Sequence, residues 1–228
     1  MGAHLTLGME ITAMIYRMLR TEYAIQAIET QSLKVGSMAE LNDPSDCAPI
    51  INDLPERYDD FPDLAIRHIF GQVAESLGVL CFTEAIRDPV LWSHYGDSHR
   101  GVALGFDFPA SEEVKPVQYS EDKPIISLWD VDTGVGTALV SSNALFTKAT
   151  SWGYEQESRK VLRLADCKPK SGLYFYEFSK LSLKEVVIGD RCQTSKTYMY
   201  HLLESKGYSH VSVKTAINIR HSFKINIA

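Results

Sequence analysis

Three stretches of the chain hold residues whose types and spacing can do chemistry. In Ser151–Arg159 (SWGYEQESR), Glu155 and Glu157 stand two apart. On a strand that spacing turns both carboxylates to one face, where they repel and one is free to be paired, protonated or catalytic. In WSHYGDSHRG, Trp92, His94, Tyr95, Asp97, His99 and Arg100 crowd together. Such a segment can wall a pocket, its rings stacking a planar ligand while a histidine or arginine grips an anion. Tyr16-Arg17 lies inside the apolar run AMIYRML. An arginine there must be held, because an unpaired buried charge is costly. Asp43 or Asp46 would hold it structurally, and a ligand phosphate would hold it functionally.

Each stretch also has a plainer reading. Trp92 and Tyr95 are residue types that pack in cores, with His94 and His99 then at the surface or capping a helix. Glu155 and Glu157 suit a solvent-facing strand edge, paired with Arg159 and Lys160. His94, Asp97 and His99, with Glu84, are what a metal-dependent or nucleic-acid-processing hydrolase would draw on. Their H-x-x-D-x-H spacing matches no metal-ligand pattern, so no metal is expected. Cys81 sits in a predicted buried strand and reads as an inert thiol. The chain has no GxSxG, no Walker loop and no GxGxxG.

The elements that must position these residues follow from patterning. Val79–Phe82 and Val102–Phe106 are apolar runs that read as buried strands on either side of WSHYGDSHRG, which is where a pocket is expected. Asp88-Pro89 is an N-cap followed by an N1 proline, opening a helical turn or two through Tyr95. Ala13–Leu19 reads as a first strand or helix end, Thr21 caps a helix to Thr30, and Ser32–Ser37 is a short strand. Asn42-Asp43-Pro44 marks a turn, Asn52–Pro62 a loop, and Asp63–Ser76 a helix. Val114–Tyr119, Glu157–Leu164, Tyr174–Phe178, Lys184–Ile188, Val211–Ala216 and Ser222–Ile227 read as strands. Ser195 caps a last helix through Glu204, and Ile125–Thr147 is ambiguous. Strands and helices mix without βαβ regularity, so the fold class is α+β: a single domain over 13–228, with a mixed or antiparallel sheet, flanking helices and an N-terminal extension at 1–12.

The 228 residues suit one large domain, and 45% hydrophobic with 23% charged residues is the balance of a globular protein. A net charge of −6 gives no general electrostatic footprint for nucleic acid. Four widely spaced cysteines without a CxxC pair read as reduced thiols, and the N-terminus lacks a signal-peptide pattern, which together point to the cytoplasm. No apolar run is long enough to span a membrane.

The motifs together resemble the bacterial domain of unknown function DUF2971. They are Tyr16-Arg17, the Asn42–Asp46 turn, Cys81-Phe82-Thr83-Glu84, Trp92–Gly101 and Trp152–Arg159. Where that family often carries an aromatic residue and a tryptophan, this chain has Ser45 and Ser158. The motif order is also similar to that of ADP-ribosyltransferases: an early arginine, an aromatic segment, then E-x-E. That resemblance implies an ADP-ribosyltransferase-like fold and an enzyme that consumes NAD, as a transferase or glycohydrolase, in the role of a toxin or anti-phage effector. It implies Glu157 as the carboxylate that stabilises an oxocarbenium-like state and Glu155 as the group that orients or deprotonates the acceptor. It implies Arg17 on the cofactor phosphates, Tyr95 or Trp92 on the nicotinamide, and His94 on a ribose hydroxyl or phosphate. The partner would be a small-molecule dinucleotide, and the acceptor a protein, a nucleic acid or water. The alternatives are the hydrolase above and a non-enzymatic regulatory or interaction module in which WSHY merely packs.

Overall fold

A computed structural model of the chain describes residues 14–48, 50–52, 71, 75–127 and 144–228. The predicted extension at 1–12 lies outside the described residues. So do most of the 52–62 loop, most of the 63–76 helix and much of 125–147.

The principal elements are β1 (Ile15–Leu19), α1 (Thr21–Thr30), β2 (Ser32–Ser37), β3 (Leu77–Thr83), α2 (Pro89–His94), β4 (Val102–Phe106), β5 (Glu157–Arg163), β6 (Leu173–Glu177), β7 (Leu183–Ile188), α3 (Lys196–Ser205), β8 (Ser212–Asn218) and β9 (Ile225–Ile227). One mixed sheet takes the order β6, β2, β3, β1, β4, β7, β8, β9, with Lys168–Lys170 beyond β6 and β5 also paired to β3. Its pairings are antiparallel except β7 with β8, which α3 joins as a crossover. The α+β expectation and the mixed sheet hold.

The centre of the sheet is split. β5 runs along the whole of β3, from Glu157↔Thr83 to Arg163↔Leu77. On the other edge of β3, β1 pairs only at Tyr16↔Thr83 and β2 only at Gly36↔Val79 and Ser37↔Gly78. Residues 80–82 of β3 therefore have no strand on that edge. A carbonyl left there needs another donor. Arg17 Nη1 supplies it, donating to the Cys81 carbonyl at 2.7 Å.

Alternation sorts the two faces of β3 and β5. Leu80 and Phe82 enter the main core with Phe106, Phe108 and Phe178. Phe82 meets Phe106 edge-on at 5.9 Å, and Phe106 meets Phe178 edge-on at 5.1 Å, geometries that favour aromatic pairs. Cys81, Thr83, Glu157 and Arg159 occupy the opposite face.

Local capping differs from expectation in one place. Arg20, not Thr21, is the N-cap of α1, and the Thr21 hydroxyl donates instead to the Arg100 carbonyl at 2.9 Å. Asp88 caps α2 by accepting from Val90 N at 2.7 Å, and Ser195 caps α3 by accepting from Tyr198 N at 3.1 Å. The predicted strand at 114–119 is two short pieces, Lys115–Pro116 and Gln118–Ser120.

Candidate active site

The split in the sheet opens into a cavity of about 250 Å³. Arg17 reaches it from β1, Cys81 and Thr83 from β3, Tyr95 from the end of α2, and Glu157 and Arg159 from β5. Asn42 and Asp46 come from the Asn42–Asp46 turn, Lys148 from the short strand Thr147–Ala149, and Glu155 from the 3-10 turn Thr150–Glu155.

A buried ion network forms one wall. Arg159 is fully buried and grips two acids. Its Nε donates to Glu157 Oε1 at 2.6 Å and its Nη2 to Glu157 Oε2 at 3.0 Å. Nη1 and Nη2 donate to Asp46 Oδ1 and Oδ2 at 3.0 and 2.6 Å, a bidentate fork. Lys148 Nζ bridges the two glutamates, at 2.5 Å from Glu155 Oε2 and 3.0 Å from Glu157 Oε2, and lies 3.7 Å from Asp46 Oδ2. Three carboxylates thus meet two cations, and one negative charge in the network is left without a counter-charge.

The neighbouring groups hold this network in place. The Tyr95 hydroxyl donates to Glu155 Oε1 at 2.6 Å and accepts from Asn42 Nδ2 at 3.1 Å. The Trp152 ring lies 4.8 Å from Lys148 Nζ, and its Nε1 donates to Asp43 Oδ2 at 2.9 Å. Asp43 itself accepts from Ser45 N at 2.8 Å, the local bond that shapes the turn. The Thr83 hydroxyl donates to the Glu155 carbonyl at 2.5 Å and accepts from Ala85 N at 2.9 Å.

These contacts set the protonation states. Burial alone would raise the Glu157 carboxyl, but the hydrogen bonds and charge of Arg159, with the charge of Lys148, hold it down at about 2. Burial works against the Lys148 ammonium, and the charge of Glu157 and the hydrogen bond to Glu155 outweigh it, so its pKa is raised. Burial and the bond to Glu155 push the Tyr95 phenol well above its ordinary value. Burial, with the Glu157 charge, pushes the Cys81 thiol up to about 12, which leaves it a poor nucleophile at neutral pH.

Of the residues singled out in the sequence, Arg17, Tyr95, Glu155 and Glu157 meet at this cavity. Trp92 and His94 do not line it. The Trp92 ring is fully buried beside Tyr16, Ile86 and Ala103, with Nε1 donating to the Ile86 carbonyl at 2.8 Å. It packs in a core cluster separate from Phe82 and Phe106, and cannot stack a ligand in the cavity. His94 is exposed on the last turn of α2. Among the described residues, no group of three or more His, Cys, Asp or Glu could hold a metal ion.

Three local expectations change. Glu155 is not on the strand with Glu157, because Thr150–Glu155 is a 3-10 turn and Gln156 has a left-handed φ of 43°. The two carboxylates converge through that kink and Lys148, not through strand alternation. Arg17 contacts neither Asp43 nor Asp46, since Trp152 and Arg159 already occupy those acids. Lys160 serves the opposite face, pairing with Glu112 at 2.8 Å. Lys148 and Asn42 were not foreseen. Asn42 stands in a turn motif that the sequence marks, whereas nothing in the run Leu145-Phe146-Thr147-Lys148 sets Lys148 apart.

No helix among the described residues is long and apolar enough to cross a membrane. Comparison with curated proteins and with solved structures finds no match. Residues 91–160, the span that carries Tyr95, Lys148, Glu155, Glu157 and Arg159 to the cavity, match the family model described as protein of unknown function DUF2971.

Proposed function

We propose that the cavity binds NAD and breaks its nicotinamide–ribose bond, as an ADP-ribosyltransferase or NAD glycohydrolase. The observation that supports this reading most is the meeting of Arg17, Tyr95 and the Glu155–Glu157 pair around one space, although these three segments are far apart in the chain. In the proposed step the C1′–N bond breaks and its electron pair goes to the pyridinium nitrogen, releasing neutral nicotinamide. The ribosyl carbon becomes oxocarbenium-like, and an oxygen of water or of an acceptor then bonds to it and gives up a proton through Glu155.

The uncompensated negative charge of the network favours a developing cation, in a place where fixed charges act more strongly than in water. Glu157 remains ionised throughout the neutral range, which suits a stabilising carboxylate better than a base. Arg17 supplies positive charge for the phosphates, since among the described residues it has no acidic partner and its Nε has no acceptor.

The test is nicotinamide release from NAD by the purified protein, alone and with cell extract or nucleic acid as acceptor. Glu157→Gln is expected to lower release at least 100-fold while a thermal melt shows the variant folded. Wild-type protein that releases none under any of these conditions would overturn the proposal.

A further inference from the structure

The polar side chains that line the cavity differ in what they can offer a ligand. Around the glutamates the donors are turned into the wall: Tyr95 Oη and Thr83 Oγ1 donate to Glu155, and Lys148 and Arg159 donate to carboxylates. What this group can offer a ligand is acceptor oxygen, with one uncompensated negative charge. Arg17 lines the same cavity beside Cys81, with Nη1 committed to the Cys81 carbonyl and Nε lacking an acceptor among the described residues. A ligand that satisfies both groups presents hydroxyl donors or a positive charge to the glutamates and an anion to the guanidinium.

Size narrows the class. The cavity holds about 250 Å³, just under the ~300–1,000 Å³ of pockets that enclose a drug-sized molecule. The cavity is open to solvent, so one ring, its sugar and a phosphate can occupy it while the rest of a dinucleotide extends outside.

We infer, resting on the proposed NAD chemistry, that this site recognises only the nicotinamide ribose 5′-phosphate half, so that the mononucleotide is itself a substrate and the adenylate half lies outside. The pyridinium and the ribose hydroxyls face Glu155 and Glu157, and the 5′-phosphate faces Arg17. Bond cleavage is the same heterolysis at C1′, with water as the acceptor when no other is present.

The experiment compares nicotinamide release from NAD, nicotinamide mononucleotide and nicotinamide riboside under identical conditions, for the wild type and for Arg17→Lys. The mononucleotide is expected to be cleaved with kcat/KM within about tenfold of NAD. The riboside, which lacks the phosphate, is expected to fall at least 100-fold below the mononucleotide. Arg17→Lys should shrink that gap to less than tenfold, chiefly through KM. Cleavage of NAD without cleavage of the mononucleotide would overturn this inference and leave the proposed function standing. Failure to cleave any of the three would overturn both. Equal rates on riboside and mononucleotide would overturn the assignment of Arg17 to the phosphate.

Discussion

Arg17 Nη1 donates to the Cys81 carbonyl across 2.7 Å, in the gap that β1 and β2 leave along β3. By alternation Arg17 starts on the face opposite Tyr16 and Met18. The gap lets its guanidinium reach between the strands, so one side chain both satisfies the orphaned carbonyl and lines the cavity. Replacing it with methionine should leave that carbonyl unpaired, at a cost of about 1–3 kcal/mol. Arg17→Lys should keep the charge, recover part of that stability, and still bind NAD at least tenfold more weakly by calorimetry, because a point charge cannot replace a fork.

Lys148 sits between Glu155 and Glu157, and removing its charge leaves Glu157 to Arg159 and Glu155 without a cationic partner. Lys148→Met is expected to destabilise the fold by about 3–5 kcal/mol, since breaking one side of a buried ion network leaves charge uncompensated. A urea midpoint measures this. In the double variant Lys148→Met, Glu155→Gln, less charge is stranded, and the loss should be smaller than the sum of the single losses.

The Glu157 carboxyl sets an acid limit. Its folded value of about 2 lies below the ordinary 4.5, so it contributes stability that is complete above about 4.5 and is lost as pH falls towards 2. That contribution is on the order of 3 kcal/mol. Chemical denaturation between pH 7 and pH 2 should show the decline, and Glu157→Gln should flatten it while lowering stability at pH 7.

The Tyr95 hydroxyl fixes one face of Glu155. Tyr95→Phe should cost about 1–2 kcal/mol in stability, through loss of the bonds to Glu155 and from Asn42. Because burial and Glu155 keep the phenol protonated, the wild-type activity should show no alkaline limb from Tyr95 in the range where a free tyrosine ionises. A rate profile to pH 10.5 tests that point.

The sequence conveyed the strands better than the wall they support. Runs such as Val79–Phe82 and Val102–Phe106 are apolar on both faces, and both are buried strands in the sheet. Asp88 and Ser195 are followed by residues that make capping legible, and both cap helices. Glu155 and Glu157 were legible as a pair, but the turn that converges them depends on the left-handed Gln156, a conformation that carries no sequence signal in a glutamine. Trp92 and Tyr95 lie three apart on one short helical segment, yet one enters the core and the other the cavity. Spacing alone does not separate them, because the choice is made by tertiary neighbours: Tyr16 and Ala103 against Trp92, Asn42 and Glu155 against Tyr95. Lys148 had no legible role, since its importance comes from acids placed beside it by three other segments.

The most direct measurement is a co-crystal structure with a carbocyclic NAD analogue that cannot be cleaved. The nicotinamide and its adjoining ring are expected in the split-sheet cavity, with hydroxyls within hydrogen-bond distance of Glu155 or Glu157 and a phosphate against Arg17. An analogue seated elsewhere, or an empty cavity at saturating ligand, would contradict that expectation.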